Sequence, residues 1–171
     1  MIIKKDCILS LDKFIDESLY NKKLGYYMKG NPFGVKGDFI TSPNISILFS
    51  EMIAVWVISF WESLKCPKQF NLIELGAGNG EMMTIMMSTF KKFPQFKRCC
   101  NIKILEKSAY LKKIQKKKIK SRKIEWLNDV KNLDNLPCIF IANEFFDALP
   151  IKQFIKKKVS GMKGILNLMK K

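Results

Sequence analysis

The hydrophobic pattern of the chain changes period near its middle. Up to about Leu64 the apolar positions follow helical spacing, whereas afterwards short apolar runs alternate with helical segments. The runs are residues 70–75, 102–105, 124–127, 138–142 and 151–155. Continuous apolar runs are typical of strands buried on both faces, and their alternation with helices predicts a parallel, doubly wound sheet. The predicted fold is therefore α/β and Rossmann-like, with helices on both faces of four to five strands.

Two helices are predicted ahead of this sheet. The first begins after Ser10, a typical N-cap residue, and ends before Gly25. The segment from Gly25 to Pro43 is rich in glycine and aromatic residues, which predicts an ordered loop. Ser42 as N-cap and Pro43 as the first helical residue then begin an apolar helix that runs to about Leu64.

This apolar helix is the strongest candidate for a membrane span. Glu51 interrupts it, and the uninterrupted stretch 52–60 is shorter than a bilayer core requires. We therefore expect a buried helix and no membrane span. Residues 1–10 lack the apolar tract of a signal peptide and the arginines of a mitochondrial transit peptide, which favours a cytoplasmic protein.

The net charge of +16 comes from 31 lysines and arginines against 15 acidic residues. Such a charge is compatible with nucleic acid or an anionic surface as a partner. Nearly all of the positive charge comes from lysine, a residue that an AT-rich genome favours in any protein. The densest lysine run follows a helical pattern around Leu111, Ile114 and Ile119 and has no interleaved aromatic residues, so a solvated helix face is the favoured interpretation. Nucleic-acid binding stays a minor alternative.

The chain has no histidine, and its five cysteines form no C-x-x-C pair. The usual zinc sites and histidine-based catalysis are thereby excluded, and no metal is expected. The odd number of cysteines, which includes the vicinal pair Cys99 and Cys100, favours reduced thiols.

The most informative segment follows the first strand, where residues 74–80 read E-L-G-A-G-N-G and lead into a helix. Glycine at Gly76, Gly78 and Gly80 lets the backbone pass close to a ligand. A dinucleotide fingerprint would have its third glycine one residue later, and Glu81 would repel a pyrophosphate. The carboxylate of Glu74 can instead help to bind the cationic methionine end of S-adenosyl-L-methionine. These glycines and Glu74 are therefore predicted to bind that cofactor.

Polar residues also end the second and third strands. Glu106 lies where a nucleotide-binding α/β fold uses a carboxylate to accept hydrogen bonds from ribose hydroxyls. The alternative for Glu106 is a surface ion pair with a lysine. Asp129 is placed to reach an adenine amino group, with Asn128 as its competitor, and an N-cap or turn role is the alternative for either.

The fourth strand leads to Asn143, Glu144 and Asp147 at the carboxyl edge of the sheet, where open α/β sheets bind their ligands. Methyl transfer requires a nucleophile in line with the sulfonium methyl, so polar groups here would act by orientation and desolvation. We predict these three as catalytic-site residues, with Glu144 and Asp147 able to hold a guanidinium or an amine. Alternatively, Asn143 and Asp147 cap a turn, and Phe145 and Phe146 belong to the core.

Together these motifs resemble the MidA-like family of class I S-adenosyl-L-methionine-dependent methyltransferases, whose mitochondrial members are assembly factors for respiratory complex I. The similarity extends to Gly25-Tyr26-Tyr27, to residues 33–43, to Phe49 with Glu51, and to residues 143–150.

This resemblance implies a class I methyltransferase sheet and places Gly37, Asp38 and Thr41 in the pocket for cofactor and substrate. The implied reaction transfers a methyl group to a protein arginine, in eukaryotes on a complex I subunit. A protein substrate is thus the implied partner.

Members of this family continue well beyond residues 143–150, so a truncated enzyme is expected. We expect N-terminal helices and a loop over 1–66, the cofactor-binding portion over 67–155, and a basic tail without family pattern over 156–171. An inactive remnant of such an enzyme is one alternative function, and a basic nucleic-acid-binding module is another.

Overall fold

The computed structural model describes residues 8–34, 37–121, 123–156, 161–163 and 165–167. In chain order its elements are β1 (Ile8–Ser10), α1 (Leu11–Tyr20), α2 (Tyr26–Lys29), α3 (Ser42–Ile45), α4 (Ile47–Ser63), β2 (Phe70–Leu75), α5 (Glu81–Phe90), α6 (Pro94–Cys99), β3 (Cys100–Leu105), α7 (Ala109–Ile119), β4 (Glu125–Leu127), β5 (Cys138–Ile141), β6 (Phe154–Lys156), β7 (Gly161–Lys163) and β8 (Ile165–Asn167).

Contacts divide the chain into two units. Unit 1 comprises Met1–Gly30 and Glu144–Lys171, and unit 2 comprises Asn31–Asn143. The division at residues 66 and 155 expected from the sequence remains a prediction.

Unit 2 contains the parallel sheet predicted from the apolar runs. Its strand order is β4-β3-β2-β5, and every neighbouring pair is parallel. The register places Glu74 of β2 beside Ile104 of β3 and Ile141 of β5. Because the strands are parallel, their carboxyl ends lie along one edge of the sheet. The predicted strands at 70–75, 102–105, 124–127 and 138–142 are confirmed to within two residues.

The core of unit 2 explains why the chain adopts these elements. Leu72, Ile73 and Ile104 are fully buried in the sheet, because both of its faces are covered. A cluster of aromatic rings from α4, α5, α6 and β2 packs beside them. Its members are Trp61, Phe70, Phe90 and Phe96, with the Phe96 centroid 4.7 Å from Phe90, 5.4 Å from Phe70 and 5.5 Å from Trp61.

The helix predicted from Ser42 to Leu64 is two helices, which corrects the sequence analysis. Thr41 takes the N-cap position of α3, with Pro43 in its first turn, and Ser46 then adopts an extended conformation with φ −141° before α4 begins. Serine competes with helical hydrogen bonding in helix interiors and favours cap positions, so Ser46 is a natural point for the break.

One face of α4 is buried, as predicted, and the other face is exposed. Ala54, Val57 and Trp61 lie in the core, whereas Met52 is 57% and Trp56 is 52% exposed. The Trp56 and Phe60 rings stack on the exposed face with centroids 5.3 Å apart. Within the described residues no helix has the length and apolar character needed to cross a membrane.

The expectation of a fifth parallel strand at residues 151–155 is wrong, because the strand found there belongs to unit 1 and not to the parallel sheet. The strand there, β6, pairs antiparallel with β7 in a separate two-stranded sheet. A second antiparallel pair joins β1 to β8. Helix α1 confirms the first predicted helix, with Ser10 at its N-cap position.

Candidate functional site

The glycine loop after β2 has the backbone that the sequence predicts. Gly76, Gly78 and Gly80 have positive φ values of 68°, 53° and 78°, a region that L side chains rarely adopt. A Cβ atom on Gly78 would lie 3.3 Å from the Phe33 ring, and one on Gly80 would lie 3.4 Å from Gln115. The positive φ values therefore favour glycine at all three positions, and the Phe33 ring leaves little room for a side chain at Gly78, so the loop presents backbone rather than side chains.

A second segment of unit 2 lies against this loop through a chain of hydrogen bonds. The Asn79 Nδ2 donates to Asn44 Oδ1 at 3.0 Å, and the Asn44 Nδ2 donates to Thr41 Oγ1 at 2.7 Å. Thr41, which the family resemblance places in the pocket, is thus linked to the glycine loop through Asn44. The sequence analysis missed Asn44, because nothing local in the sequence indicates its partner.

Gly37 and Asp38 lie in the same segment. A Cβ atom on Gly37 would approach the Pro32 carbonyl oxygen to 2.3 Å, so only glycine fits the turn. Backbone bonds between Phe39 and Pro32 and between Gly34 and Phe39, both 2.9 Å, close the turn around it. Asp38 is exposed. Their assignment to a cofactor pocket remains a proposal.

Glu74 is an unusually buried titratable group of unit 2. It lies at the carboxyl end of β2 and is 2% exposed, and its Oε2 has no hydrogen-bond partner among the described residues. Burial, followed by the charge of Glu106, raises the pKa of Glu74 to about 8. The side chain is therefore protonated at neutral pH unless a positive charge comes close to it.

Glu106 lies just beyond the carboxyl end of β3 and is 8% exposed. Its Oε1 accepts a hydrogen bond from Ser108 N at 2.9 Å, and its Oε2 accepts one from Gln115 Nε2 at 3.0 Å. Burial raises its pKa, and these hydrogen bonds oppose that rise. The alternative of a surface ion pair is wrong, because the group is not on the surface.

Asp129 and Asn128 have local roles that the sequence analysis left open. The Asp129 Oδ1 accepts from Lys131 N at 3.0 Å and so caps the 3₁₀ turn Val130–Asn132. The Asn128 Oδ1 accepts from Lys112 Nζ at 2.6 Å. Both side chains are exposed. The cap role of Asp129 is therefore observed, while an adenine contact remains a proposal.

The three residues predicted for the catalytic site are divided between the two units. Asn143 ends unit 2 just after β5 and is partly buried, whereas Glu144 and Asp147 belong to unit 1 and are exposed. Glu144 has a positive φ of 48°, which is uncommon for a residue with a side chain. Phe146 is 65% exposed, so the alternative that places it in the core is wrong.

In unit 1, three tyrosines accompany these carboxylates. The Tyr27 ring stacks on Tyr20 at 5.9 Å and meets Tyr26 edge-on at 5.3 Å. Tyr20 Oη donates to the Ala148 carbonyl at 2.9 Å, which anchors the cluster next to Asp147. Burial, then the charges of Asp147 and Glu144, raise the pKa of Tyr27. The sequence analysis assigned no role to these tyrosines.

The lysine-rich segment forms α7 and the turn after it. Lys116 lies 5.2 Å from the Trp126 ring centroid, and Lys118 pairs with Glu81. Lys113 and Lys117 are exposed, as expected of a solvated helix face. Among the described residues no group of His, Cys, Asp or Glu could hold a metal ion. Cys66, Cys99, Cys100 and Cys138 are free thiols, while Cys7 and Arg122 lie outside the described residues.

Comparison with protein families matches residues 52–169 to the family described as "Putative S-adenosyl-L-methionine-dependent methyltransferase". The match continues into residues 156–169, which corrects the expectation of a tail without family pattern.

Curated relatives carry the name "Protein arginine methyltransferase NDUFAF7, mitochondrial". The protein from Xenopus laevis is 33% identical over 91% of this chain, and the one from Homo sapiens is 30% identical over 90%. The chain spans 41% and 40% of their respective lengths.

A solved structure shares the fold. It is a COG1565 superfamily member from Burkholderia thailandensis bound to S-adenosyl-homocysteine, with a TM-score of 0.72 and 20% identity. The similarity covers 91% of this chain and 41% of that protein. The expected methyltransferase-like α/β fold is thereby confirmed.

The raised pKa of Glu74 predicts how stability depends on pH. Because the folded state binds this proton more tightly than the unfolded state, the free energy of unfolding falls as pH rises from 4.5 to about 8. One such group contributes a slope of at most about 1.4 kcal/mol per pH unit. We expect Glu74→Gln to flatten the slope, measured by urea unfolding across this range.

The matched control is Glu62→Gln, which changes an exposed carboxylate of α4. The control should keep the wild-type slope. An equal slope in wild type and Glu74→Gln would show that Glu74 titrates as an ordinary carboxylate.

Proposed function

Because the chain belongs to the family of S-adenosyl-L-methionine-dependent methyltransferases that the matching model describes, we propose that it binds this cofactor and takes part in methyl transfer to a protein arginine. The observation that carries the proposal is the buried carboxyl of Glu74, whose Oε2 has no hydrogen-bond partner among the described residues, at the start of a loop of three positive-φ glycines. Both features belong to unit 2 and lie at the ligand-binding edge of a parallel sheet.

The residues of this edge fit the cofactor. S-Adenosyl-L-methionine supplies an electrophilic methyl group on a sulfonium and carries an ammonium on its methionine end. Gly76, Gly78 and Gly80 would let the backbone approach the ligand. Glu74 would face the positive charge, since its Oε2 lacks any other partner in the described part of the chain.

A nearby cation changes the protonation of Glu74. Opposite charge favours the ionised form of a carboxylate, so binding a cationic ligand would lower the raised pKa of Glu74 and release its proton. Glu106 would accept a hydrogen bond from a ribose hydroxyl, and donors that include Ser108 N and Gln115 Nε2 already orient its carboxylate. Asp129 would reach the adenine only by giving up its cap contact with Lys131.

For the acceptor we propose the aromatic and acidic cluster of unit 1. Carboxylates bind guanidinium by paired, charge-assisted hydrogen bonds, and tyrosine faces attract cations. The pKa of Tyr27 is raised first by burial and then by the charges of Asp147 and Glu144, so both carboxylates lie within electrostatic range of its hydroxyl. These carboxylates would orient an arginine and take up the proton that it loses when its nitrogen is methylated. Asn143, at the sheet edge of unit 2, would help to orient the reacting groups for methyl transfer.

The names of the relatives support arginine as the acceptor, because those proteins are called protein arginine methyltransferases. A respiratory complex I subunit as the protein substrate rests on the family resemblance. The same names call those relatives mitochondrial, which leaves the cytoplasmic location expected from the sequence unsupported.

Calorimetric titration of the 171-residue chain with S-adenosyl-L-methionine tests the cofactor proposal. We expect saturable binding that releases up to one proton, seen as a heat that depends on the ionisation enthalpy of the buffer. Gly78→Arg should abolish the binding, since its side chain would meet Phe33 and fill the loop. Glu106→Gln provides a second variant should Gly78→Arg misfold, and it should weaken binding about tenfold.

Gly30→Arg is the matched control, because a Cβ atom on Gly30 meets nothing within 4 Å. This variant should bind like the wild type. A folded wild-type chain that gives no heat would contradict the proposal and favour the inactive remnant.

Transfer of a labelled methyl group to an arginine peptide tests the acceptor proposal. We expect Asp147→Asn and Glu144→Gln each to lower kcat about ten- to a hundredfold, because each removes one charge-assisted contact. The affinity for S-adenosyl-L-methionine should stay within about twofold, since neither residue is assigned to the cofactor.

Asp16→Asn, a change at an exposed acid of α1, should leave the rate unchanged. Wild-type rates in the Asp147 and Glu144 variants would remove both residues from the acceptor site.

A further inference from the structure

Gln115 is a completely buried polar residue on α7. Its side-chain amide makes three hydrogen bonds to three different parts of unit 2. Nε2 donates to the Gly78 carbonyl at 2.9 Å and to Glu106 Oε2 at 3.0 Å. Oε1 accepts from Trp126 Nε1 at 2.9 Å. One amide therefore connects the glycine loop, the end of β3 and β4.

The position of Gln115 makes this network informative. Leu111 and Ile119 lie one turn before and one turn after it on the same helical face, and both are buried. An apolar side chain would continue that stripe at no desolvation cost, whereas a buried amide is tolerated only when its polar atoms are paired. The pairing of both amide atoms indicates that the geometry of the network matters, in addition to the packing.

The network acts on Glu106. Its carboxylate is held from one side by Ser108 N at 2.9 Å and from the other by Gln115. Of these two donor residues, only Gln115 also hydrogen-bonds to the glycine loop, through the Gly78 carbonyl. The amide thus fixes the plane of the carboxylate relative to the Gly78 carbonyl, and fixed geometry is what lets a carboxylate accept from a specific hydroxyl.

We propose that Gln115 is a positioning residue of the ribose site, which it serves by orienting the Glu106 carboxylate toward the ribose hydroxyls of the bound nucleoside. This inference rests on the proposed cofactor binding. It assigns to Gln115 no contact with the ligand, and its effect passes through Glu106. Loss of the amide should therefore weaken ligands that carry ribose hydroxyls and spare ligands that lack them.

The test compares S-adenosyl-homocysteine with its 2′,3′-dideoxy analogue, titrated into the full chain by calorimetry. In Gln115→Met, which keeps the length of the side chain, the ratio of the two affinities should fall about tenfold. Binding of the dideoxy analogue should change less than about twofold, because that ligand has no hydroxyl for Glu106 to accept. Equal losses for both ligands would reduce Gln115 to a structural role and overturn the inference.

A second variant keeps the test decisive if Gln115→Met does not fold. Gln115→Glu retains the acceptor for Trp126, and with it the link between α7 and β4. It replaces the amide donor with a carboxyl that either repels Glu106 or shares a proton with it. In both cases Glu106 is less able to accept from a hydroxyl, so the affinity ratio should fall at least as far as in Gln115→Met. An unchanged ratio in this folded variant would also overturn the inference.

Leu111→Ala is the matched control on the same face of α7. It removes buried apolar contacts and lowers stability, but it leaves the amide network in place. The affinity ratio should stay at the wild-type value. A wild-type chain that binds neither ligand would refute the proposed function itself, whereas one that binds both equally well would refute the ribose role of Glu106 and the inference with it.

Discussion

The burial of two carboxylates at one edge of a parallel sheet is the constraint on which the site depends. Glu74 and Glu106 lie at or just beyond the ends of neighbouring strands, and each is almost inaccessible to solvent. Removing a carboxylate from water is costly unless it is paired, and two that interact cannot both ionise easily. The protein holds Glu106 with donors that include Ser108 and Gln115, whereas an oxygen of Glu74 has no donor among the described residues. A cation bound at this edge would relieve that cost.

In unit 2, a second group of charges around Lys103 has its partners within the fold itself. Lys103 of β3 is buried, and its Nζ lies 2.7 Å from Glu125 and 3.6 Å from Asp134. Asp134 also accepts from Asn71 at 2.6 Å, and that hydrogen bond lowers the pKa of Asp134. These charges join strands and a loop. Glu74 differs from these charges, because its Oε2 has no partner among the described residues, as expected if it binds the proposed cationic ligand.

Local pattern predicted the strands and the glycine loop well, because apolar runs and glycine spacing report burial and backbone conformation directly. It failed where the deciding partner is distant in sequence. Gln115 is a polar residue in an apolar stripe, and only Gly78, Glu106 and Trp126 explain it. The strand near residue 154 pairs with β7 rather than with the parallel sheet, a choice that hydrophobicity does not encode. Likewise, apolar content does not reveal the break at Ser46, which lies in the extended conformation of that residue.

The central claim is that the glycine loop and the two carboxylates form the cofactor site. An ¹⁵N NMR titration of the chain with S-adenosyl-homocysteine tests it most directly, since each backbone amide reports its own surroundings. We expect the largest chemical-shift changes at Gly76, Gly78 and Gly80 and at the amide of Ser108, which donates a hydrogen bond to Glu106. Changes confined to other parts of the chain, or none at saturating ligand, would contradict it.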